Sequence, residues 1–568
     1  MGPAAVLQAV LFLIALFFIT KPLGRYIADV LEGRRTLLSR LMLPLEHGIY
    51  RVCGIDPRAG QPWTTYAAAC LYFSAVNFAV FYALLRLQKW LPLSPNPLAT
   101  PMTPDLAFNT SVSFMTNTSW QSYPGETTLS YLCQMLGVTV QSFTSAAAGI
   151  GVGAALLRAF RREGTREIGN FWVDVTRATL YILLPMALVG ALFLGSQGVI
   201  QSLSANRKVA GLEGTAQVIP MGPVASQESI KLLSGDGGGF FNANSAHPFE
   251  NPSPLTSFFE MLLILAVPAA MTYSFGAMAG DVRQGWTVFS VMMVLLSAGI
   301  VVASWSEYAG IPVLHSLRVP GRNLEGKEVR FGAGGSALFA VAATASADGA
   351  ANSAHDSFTP IGGLVQMFNM KSGEVVFGGP GTGIVSMIFM VMLTVFLAGL
   401  MVGRTPEYLG KRIESREMKL VMISFVSTGA AILVFSAATF VARSPLASLG
   451  NPGAHGLSEI LYANASAVAN NGSAFAGLNA NTPWFNTTLA AAMLVGRFLV
   501  IVPALAVAGS LSLKRRLTIT AGTMPTHGPL FVALLLGSIV LVAALTFLPV
   551  FCLGPIAEHY YMHLGLLR

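Results

Sequence analysis

The sequence predicts an all-α polytopic membrane protein of ten transmembrane helices, and three observations carry that prediction. The 568 residues are 53% hydrophobic and only 11% charged, with a mean hydropathy of +0.62. Apolar runs of about 20 residues recur along the chain, each long enough to cross a hydrocarbon core of ~30 Å. Lys and Arg are also divided unevenly between alternate connecting segments. The spans are expected near 4–20, 66–88, 128–157, 171–199, 255–279, 285–307, 376–402, 420–441, 485–511 and 528–551.

The first run, Ala4–Thr20, is preceded by no basic residue and followed by Lys21, Arg25 and Arg34. That order fits a span with its N-terminus outside better than a signal peptide. In this orientation segments 21–63, 158–170, 280–284, 403–419 and 512–527 lie inside and hold 20 Lys or Arg in 94 residues. Segments 91–127, 200–254, 308–375, 442–484 and 552–568 lie outside and hold 10 in 220. Arg86, Lys89, Arg177 and Arg497 fall within or beside spans. The bias places both termini on the extracytoplasmic side. It also accounts for the net charge of +8 without a nucleic-acid partner. Cys53, Cys70, Cys133 and Cys552 are scattered, three of them in apolar runs, and suggest neither a disulfide framework nor a metal site.

Four outside segments between spans two and nine join the members of helix pairs, and three carry a similar string. Asp236-Gly237-Gly238-Gly239, Asp348-Gly349-Ala350-Ala351 and Asn471-Gly472-Ser473-Ala474 share Asp/Asn, then Gly, then two small residues. The first segment offers Thr116-Asn117-Thr118-Ser119 instead. Taking Asn117, Gly237, Gly349 and Gly472 as equivalent, the separations are 120, 112 and 123 residues. A near-constant period with a span on either side implies four copies of span, re-entrant pore loop and span. The units are expected at 64–160, 171–279, 285–402 (its second helix broken) and 418–511. An extra helix with an inside loop (1–63) and a final helix (528–568) flank them.

Each string follows a weakly apolar stretch, such as "ALFAVAATASA" (337–347), suited to a short re-entrant helix. Irregular backbone at membrane depth survives only where protein buries it or water lines it. Small residues let the chain turn its carbonyls inward, and four such loops would form a ring able to replace a cation's hydration shell. The helix before each loop would aim its negative dipole end at the ion. Thr116, Asn117, Thr118, Ser119, Asp236, Gly237, Gly238, Gly239, Asp348, Gly349, Ala350, Asn471, Gly472 and Ser473 are the expected filter. Neutral carbonyls suit a dehydrated monovalent cation.

"TNTSWQSYPGETTLSY" (116–131), "GGGFFNANSAHPFENP" (237–252), "GEVVFGGPGTG" (373–383), "GRTPEYLGK" (403–411) and "NNGSAFAGL" (470–478) together resemble the potassium-binding A subunit of Kdp-type potassium-transporting ATPases. The resemblance runs from the first span to the last. It implies the four-repeat, channel-like fold of the potassium-transporter superfamily and a filter that binds K+ on the outside of a bacterial inner membrane. It further implies three partners. A catalytic P-type ATPase B subunit alone would bind and hydrolyse ATP, and a C subunit and a small F subunit would accompany it. Ions would leave the filter sideways through a tunnel toward the ATPase chain. Three positions depart from the family's usual pattern: Ser119 stands for Asn, Gly235-Asp236 for Thr-Asn, and Asp348 for Cys. Asp236 is therefore expected to bring a carboxyl near the pore mouth.

Gln121, Asn242, Asn244 and His247 are expected to brace the loops by hydrogen bonds, since buried polar groups need partners. "GGPGTG" (378–383) should break span seven in its first third, Gly378, Gly379, Gly381 and Gly383 adding backbone freedom where Pro380 removes a donor. The resemblance makes that break a gate beneath the filter. Arg497, costly within span nine, is expected to face a wet cavity or a carboxylate, with Glu374 as partner. It would either repel ions from the cytoplasmic side or pair structurally. Arg404 opens an inside loop and would hold span seven or a lipid headgroup, as positive-inside residues do.

No phosphate-binding loop, Asp-Lys-Thr-Gly string, nucleophile elbow or H-E-x-x-H occurs. The chain is thus expected to have no catalytic residues and no organic cofactor, K+ being the transported ion. The alternative within the superfamily is a stand-alone potassium transporter or channel driven by membrane potential. A membrane enzyme would need His247, Glu250, His355 and Asp356 to converge, and their spacing matches no catalytic motif.

Overall fold

The computed structural model describes residues 2–92, 102–211, 213–312, 318–319, 321–518 and 524–566. The outside segments 91–127, 200–254, 308–375 and 552–568 and the inside segment 512–527 thus fall partly outside the described residues. Among the described residues ten helices are long and apolar enough to span: Pro3–Leu31, Trp63–Trp90, Cys133–Ala159, Phe171–Ser196, Pro254–Ala279, Val282–Ala309, Thr382–Val402, Ser415–Ala442, Pro483–Leu513 and Pro529–His563. Proline sets many of their starts. Pro3, Pro254, Pro483 and Pro529 occupy first turns, where the missing N–H is an orphan anyway. Gly280 and Gly403 close the fifth and seventh spans in the left-handed conformation.

The third, fifth, seventh and ninth spans have 61–83% of their most apolar window buried, against 22–50% for the other six. These four are the second members of the helix pairs, so they form the centre and the first members face lipid. Composition explains why. The third span reads SAAAGIGVGAALL, and small residues allow close backbone approach where lipid supplies no hydrophobic drive. The first span lies along the fifth, where Ser274 Oγ donates to the Gly24 carbonyl at 2.8 Å. The last packs on the sixth and seventh spans and bends at Gly554-Pro555.

Other elements lie outside the spans. Ser39–Cys53 forms an amphipathic helix after the first span, and Arg207–Ala210 pairs with Ala216–Ile219 as a hairpin. The four cysteines are all free thiols.

Candidate functional site

Four shorter helices, Pro104–Met115, Val224–Leu233, Gly332–Ala345 and Gly453–Val468, descend between the members of the pairs and end alike. After each C-cap comes a left-handed residue: Asn117 (φ 62°), Gly235 (58°), Ala347 (57°) and Asn470 (51°). The next amide turns back five residues. Thr118 N donates to Ser113 O (2.8 Å), Asp236 N to Lys231 O (3.2 Å), Asp348 N to Ala343 O (3.0 Å) and Asn471 N to Ser466 O (2.9 Å). This 6→1 bond makes Thr118, Asp236, Asp348 and Asn471 equivalent, at separations of 118, 112 and 123 residues. The sequence alignment of Asn117 with the glycines is therefore corrected by two positions, and Ser119 stands level with Gly237, Gly349 and Gly472. The cause is chemical: Asn tolerates the left-handed region nearly as glycine does, so Asn117 matches Gly235 in backbone shape.

The loops close a ring. Asn117 Nδ2 donates to the Gly235 carbonyl (2.8 Å), tying loop one to loop two. Gly349 N donates to Asp236 O (3.3 Å), tying three to two. Asn471 Nδ2 donates to Asp348 O (2.9 Å), and Asn470 Nδ2 to Thr118 Oγ1 (2.9 Å), tying four to three and to one. Glycine is required at the joints. A methyl group on Gly237 would lie 2.2 Å from Gly349 N, and one on Gly472 1.8 Å from Thr118 O.

The carbonyls of Ser119, Gly237, Gly349 and Gly472, one from each loop at equivalent positions, accept no hydrogen bond among the described residues. Ser119, Gly237 and Gly349 are buried, and buried carbonyls without a donor are uncommon, which makes these oxygens candidate ligands for a cation.

The acidic residues brace the loops. Asp348 Oδ1 accepts from Ala350 N at 2.7 Å, as Asn471 Oδ1 accepts from Ser473 N at 3.0 Å. Asp236 Oδ1 accepts from Ser119 Oγ. All three side chains are buried, so Asp236 tucks its carboxyl into the ring's structure and does not project it from an open mouth. Because Asn471 already does the work of Asp348, Asp348→Asn should keep K+ affinity within about twofold. Asp348→Ala, losing a hydrogen bond of about 1 kcal/mol, should weaken it about fivefold in equilibrium Rb+ binding.

Gln121 Oε1 accepts from Gly239 N (2.8 Å), and Asn244 Oδ1 from Lys231 Nζ (2.9 Å) and Ser245 N (2.8 Å). Asn242 differs from expectation: its side chain is exposed, and its backbone N–H reaches Glu126 Oε2 at 2.9 Å. Sequence reasoning missed the buried ion group that anchors loop two. Lys231 Nζ lies 2.6 Å from both Glu228 Oε2 and Glu250 Oε2, while Glu250 Oε1 accepts from Phe241 N (2.8 Å). The signal was Glu228 and Lys231, one turn apart in an otherwise weakly polar stretch. His247 stacks on Phe241 at 3.8 Å, His355 meets the Tyr462 hydroxyl at 2.9 Å, and Asp356 lies by His455, so the enzyme candidates do not converge.

Beneath the ring, residues 372–381 form an irregular segment between the half-helix Pro360–Lys371 and the seventh span. The break thus precedes the span and does not divide its first third, because Gly381 (φ 87°) and Pro380 stop the helix from starting earlier. Gly378 N donates to Ala345 O at the end of the third pore helix (2.9 Å). A methyl on Gly381 would lie 2.0 Å from the Gly149 carbonyl, one on Gly383 1.9 Å from Phe377 O, and one on Gly235 2.6 Å from Pro380. Gly379 has more room, a methyl there coming to 2.9 Å from the Thr382 hydroxyl.

Glu374 is spent within this segment, its Oε2 accepting from Thr382 Oγ1 at 2.9 Å. It forms no ion pair with Arg497, whose Nη2 donates to the Ser145 carbonyl at 2.8 Å. The expected pairing is corrected: the guanidinium's acceptor is a backbone carbonyl on the small-residue face of the third span. Arg404 is exposed just past the seventh span, its amide bonded to Gly399 O (2.8 Å). Beside the segment a largely apolar cavity of about 370 Å³ runs from Lys371, Gly373 and Glu374 outward to Met422 and Val426 of the eighth span.

Comparison with known proteins agrees with this architecture. Residues 10–560 match the family model described as potassium-transporting ATPase A subunit. The potassium-transporting ATPase potassium-binding subunit of Solibacter usitatus (strain Ellin6076) is 54% identical over 560 residues, covering 99% of this chain and 98% of its own. The protein of the same name from Rhodospirillum centenum (strain ATCC 51521 / SW) is 54% identical over 569 residues, covering 100% and 99%. The crystal structure of the potassium transporter TrkH from Vibrio parahaemolyticus superposes with a TM-score of 0.54 at 14% identity, over 88% of this chain and 98% of that one, which shows a shared fold. The chain belongs to the potassium-transporting ATPase A subunit family.

Proposed function

We propose that this chain is the potassium-binding and translocating, channel-like component of an ATP-driven potassium uptake complex. The ring of donor-free carbonyls from Ser119, Gly237, Gly349 and Gly472 carries the reading. Such a ring replaces the hydration shell of K+ without an acidic side chain facing the ion. The pore helices end at the ring and add their negative dipole ends. The repeat boundaries 64–160, 171–279, 285–402 and 418–511 enclose these loops.

The filter faces the extracytoplasmic side of a bacterial inner membrane, with both termini outside, as the Lys and Arg distribution argues. K+ passes from the filter to the segment 372–381, which acts as a gate, and then sideways along the cavity beside it toward a partner. That partner is the catalytic P-type ATPase B subunit, which binds ATP and is accompanied by the C subunit and the small F subunit. Arg404 meets lipid headgroups at the inner surface.

Arg497 blocks the straight route. It lies in the ninth span at the level of Gly149 and Pro380, and a fixed positive charge there repels a dehydrated cation. Arg497→Gln should loosen coupling, so that ATP hydrolysis by the complex continues with K+ uptake reduced about tenfold or more per ATP. Unchanged K+ moved per ATP would make Arg497 a structural tie to Ser145.

Rubidium uptake from scarce external ion, in cells lacking their own potassium transporters, tests the whole reading. Uptake is expected only when the chain is expressed with its ATPase partners, and should vanish on ATP depletion at constant membrane potential. Equal uptake by the chain alone would make it an autonomous transporter.

A further inference from the structure

Away from the ring, on the same face of the bundle, two elements bring together a set of metal-ligating side chains that the transport reading leaves unused. Asp356 lies in the turn His355–Ser357 after the third loop. His455 and Glu459 lie one turn apart on the fourth pore helix, so they share one face of it. One ligand atom from each of the three falls within 4.8 Å of the others.

Two further observations separate this group from a chance cluster of charge. Glu459 is fully buried, and among the described residues its Oε2 has no partner, although burying a carboxylate oxygen without one is costly. Each ligand is also held from behind. Glu558 of the terminal helix Ala557–His563 lies 2.7 Å from His455 Nδ1, and Nε2 shares a hydrogen bond with Asp356 Oδ1 at 3.0 Å, a contact that a bound ion would replace. Asn451 Nδ2 donates to Glu459 Oε1 (2.8 Å), and Gly477 N to Asp356 Oδ2 (3.1 Å). A carboxylate behind the far nitrogen of an imidazole, with each ligating carboxylate itself hydrogen-bonded, is the outer shell that orients ligands in metal sites.

We propose that Asp356, His455 and Glu459 form a site for a divalent transition-metal ion of the zinc class, with Glu558 positioning the imidazole. One imidazole nitrogen and two carboxylate oxygens form a borderline ligand set that suits Zn2+ better than the hard cations Ca2+ and Mg2+. Three protein ligands leave a position for water, and the partly exposed Asp356 and His455 give a path of entry. An ion at this site ties the third loop to the fourth pore helix. His455 stacks at 5.9 Å on Phe475, which stacks at 4.1 Å on Tyr462, whose hydroxyl lies 2.8 Å from Ser473 Oγ of the fourth loop. The bound metal therefore braces the ring from behind and takes no part in carrying K+.

The test is zinc binding by the purified full-length chain, stripped with chelator and followed by equilibrium dialysis with metal analysis. One Zn2+ per chain is expected, with affinity lowered about tenfold or more in Glu459→Gln and in Asp356→Asn. Retained Rb+ binding in each variant reports an intact fold. Absence of stoichiometric zinc, variants that bind as wild type does, or displacement of Zn2+ by an equal concentration of Ca2+ would each overturn the proposal.

Discussion

Gly472→Ala is expected to lower K+ affinity by about 100-fold, with little change in membrane insertion. The added methyl would stand 1.8 Å from the Thr118 carbonyl oxygen, at a backbone φ of 92° that L side chains avoid. The nearest atoms, of Thr118 and Ser119, are all backbone, so relief must come from moving the fourth loop away from the first. The left-handed conformation alone costs about 1–2 kcal/mol. Opening the joint also displaces one of the four carbonyls, and a ring that coordinates a dehydrated ion loses selectivity as soon as one oxygen retreats. Equilibrium Rb+ binding measures the loss, and K+ over Na+ competition should narrow with it. Wild-type affinity in Gly472→Ala would mean that the joint between loops one and four is unimportant.

Gly381→Ala acts one level lower and is expected to separate binding from transport. Its methyl would lie 2.0 Å from the Gly149 carbonyl and 2.6 Å from Ile150 N, at φ 87°. The segment 372–381 must therefore shift against the third span, whereas the carbonyl ring above is held by its own bonds among Asn117, Gly349, Asn470 and Asn471. Uptake by the complex should fall about tenfold or more while Rb+ binding stays within about threefold, the pattern of a conformational step and not of a binding site. Equal losses in both would show that the segment serves only to support the ring.

Much of this architecture is written in single segments of the chain. The ten spans follow from apolar runs, and three of the four pore loops from Asp/Asn-Gly strings placed once in a helix pair. The register of the first loop was not legible, because Asn117 imitates glycine in the left-handed region and only the backbone bond from Thr118 to Ser113 reveals the offset. The role of Asp236 and Asp348 was equally hidden. A carboxyl in sequence is a charge, but here each is a buried hydrogen-bond acceptor, Asp236 from Ser119 of the first loop and Asp348 from Ala350 N of its own. Arg497 was misassigned to Glu374 for a related reason. Sequence supplies only side chains as partners, and the structure gives the guanidinium a backbone carbonyl from a span 352 residues away. The Lys231, Glu228 and Glu250 group and the Asp356, His455 and Glu459 group join residues from separate elements, which no periodicity announces.

The central claim is that the four loops form one potassium site, and binding of K+ to the purified chain without its partners tests it most directly. Titration with Rb+ as tracer should give a single saturable class of site that K+ displaces and Na+ does not, weakened in Gly472→Ala and kept in Asp348→Asn. Binding that is absent, unselective or indifferent to Gly472 would contradict it.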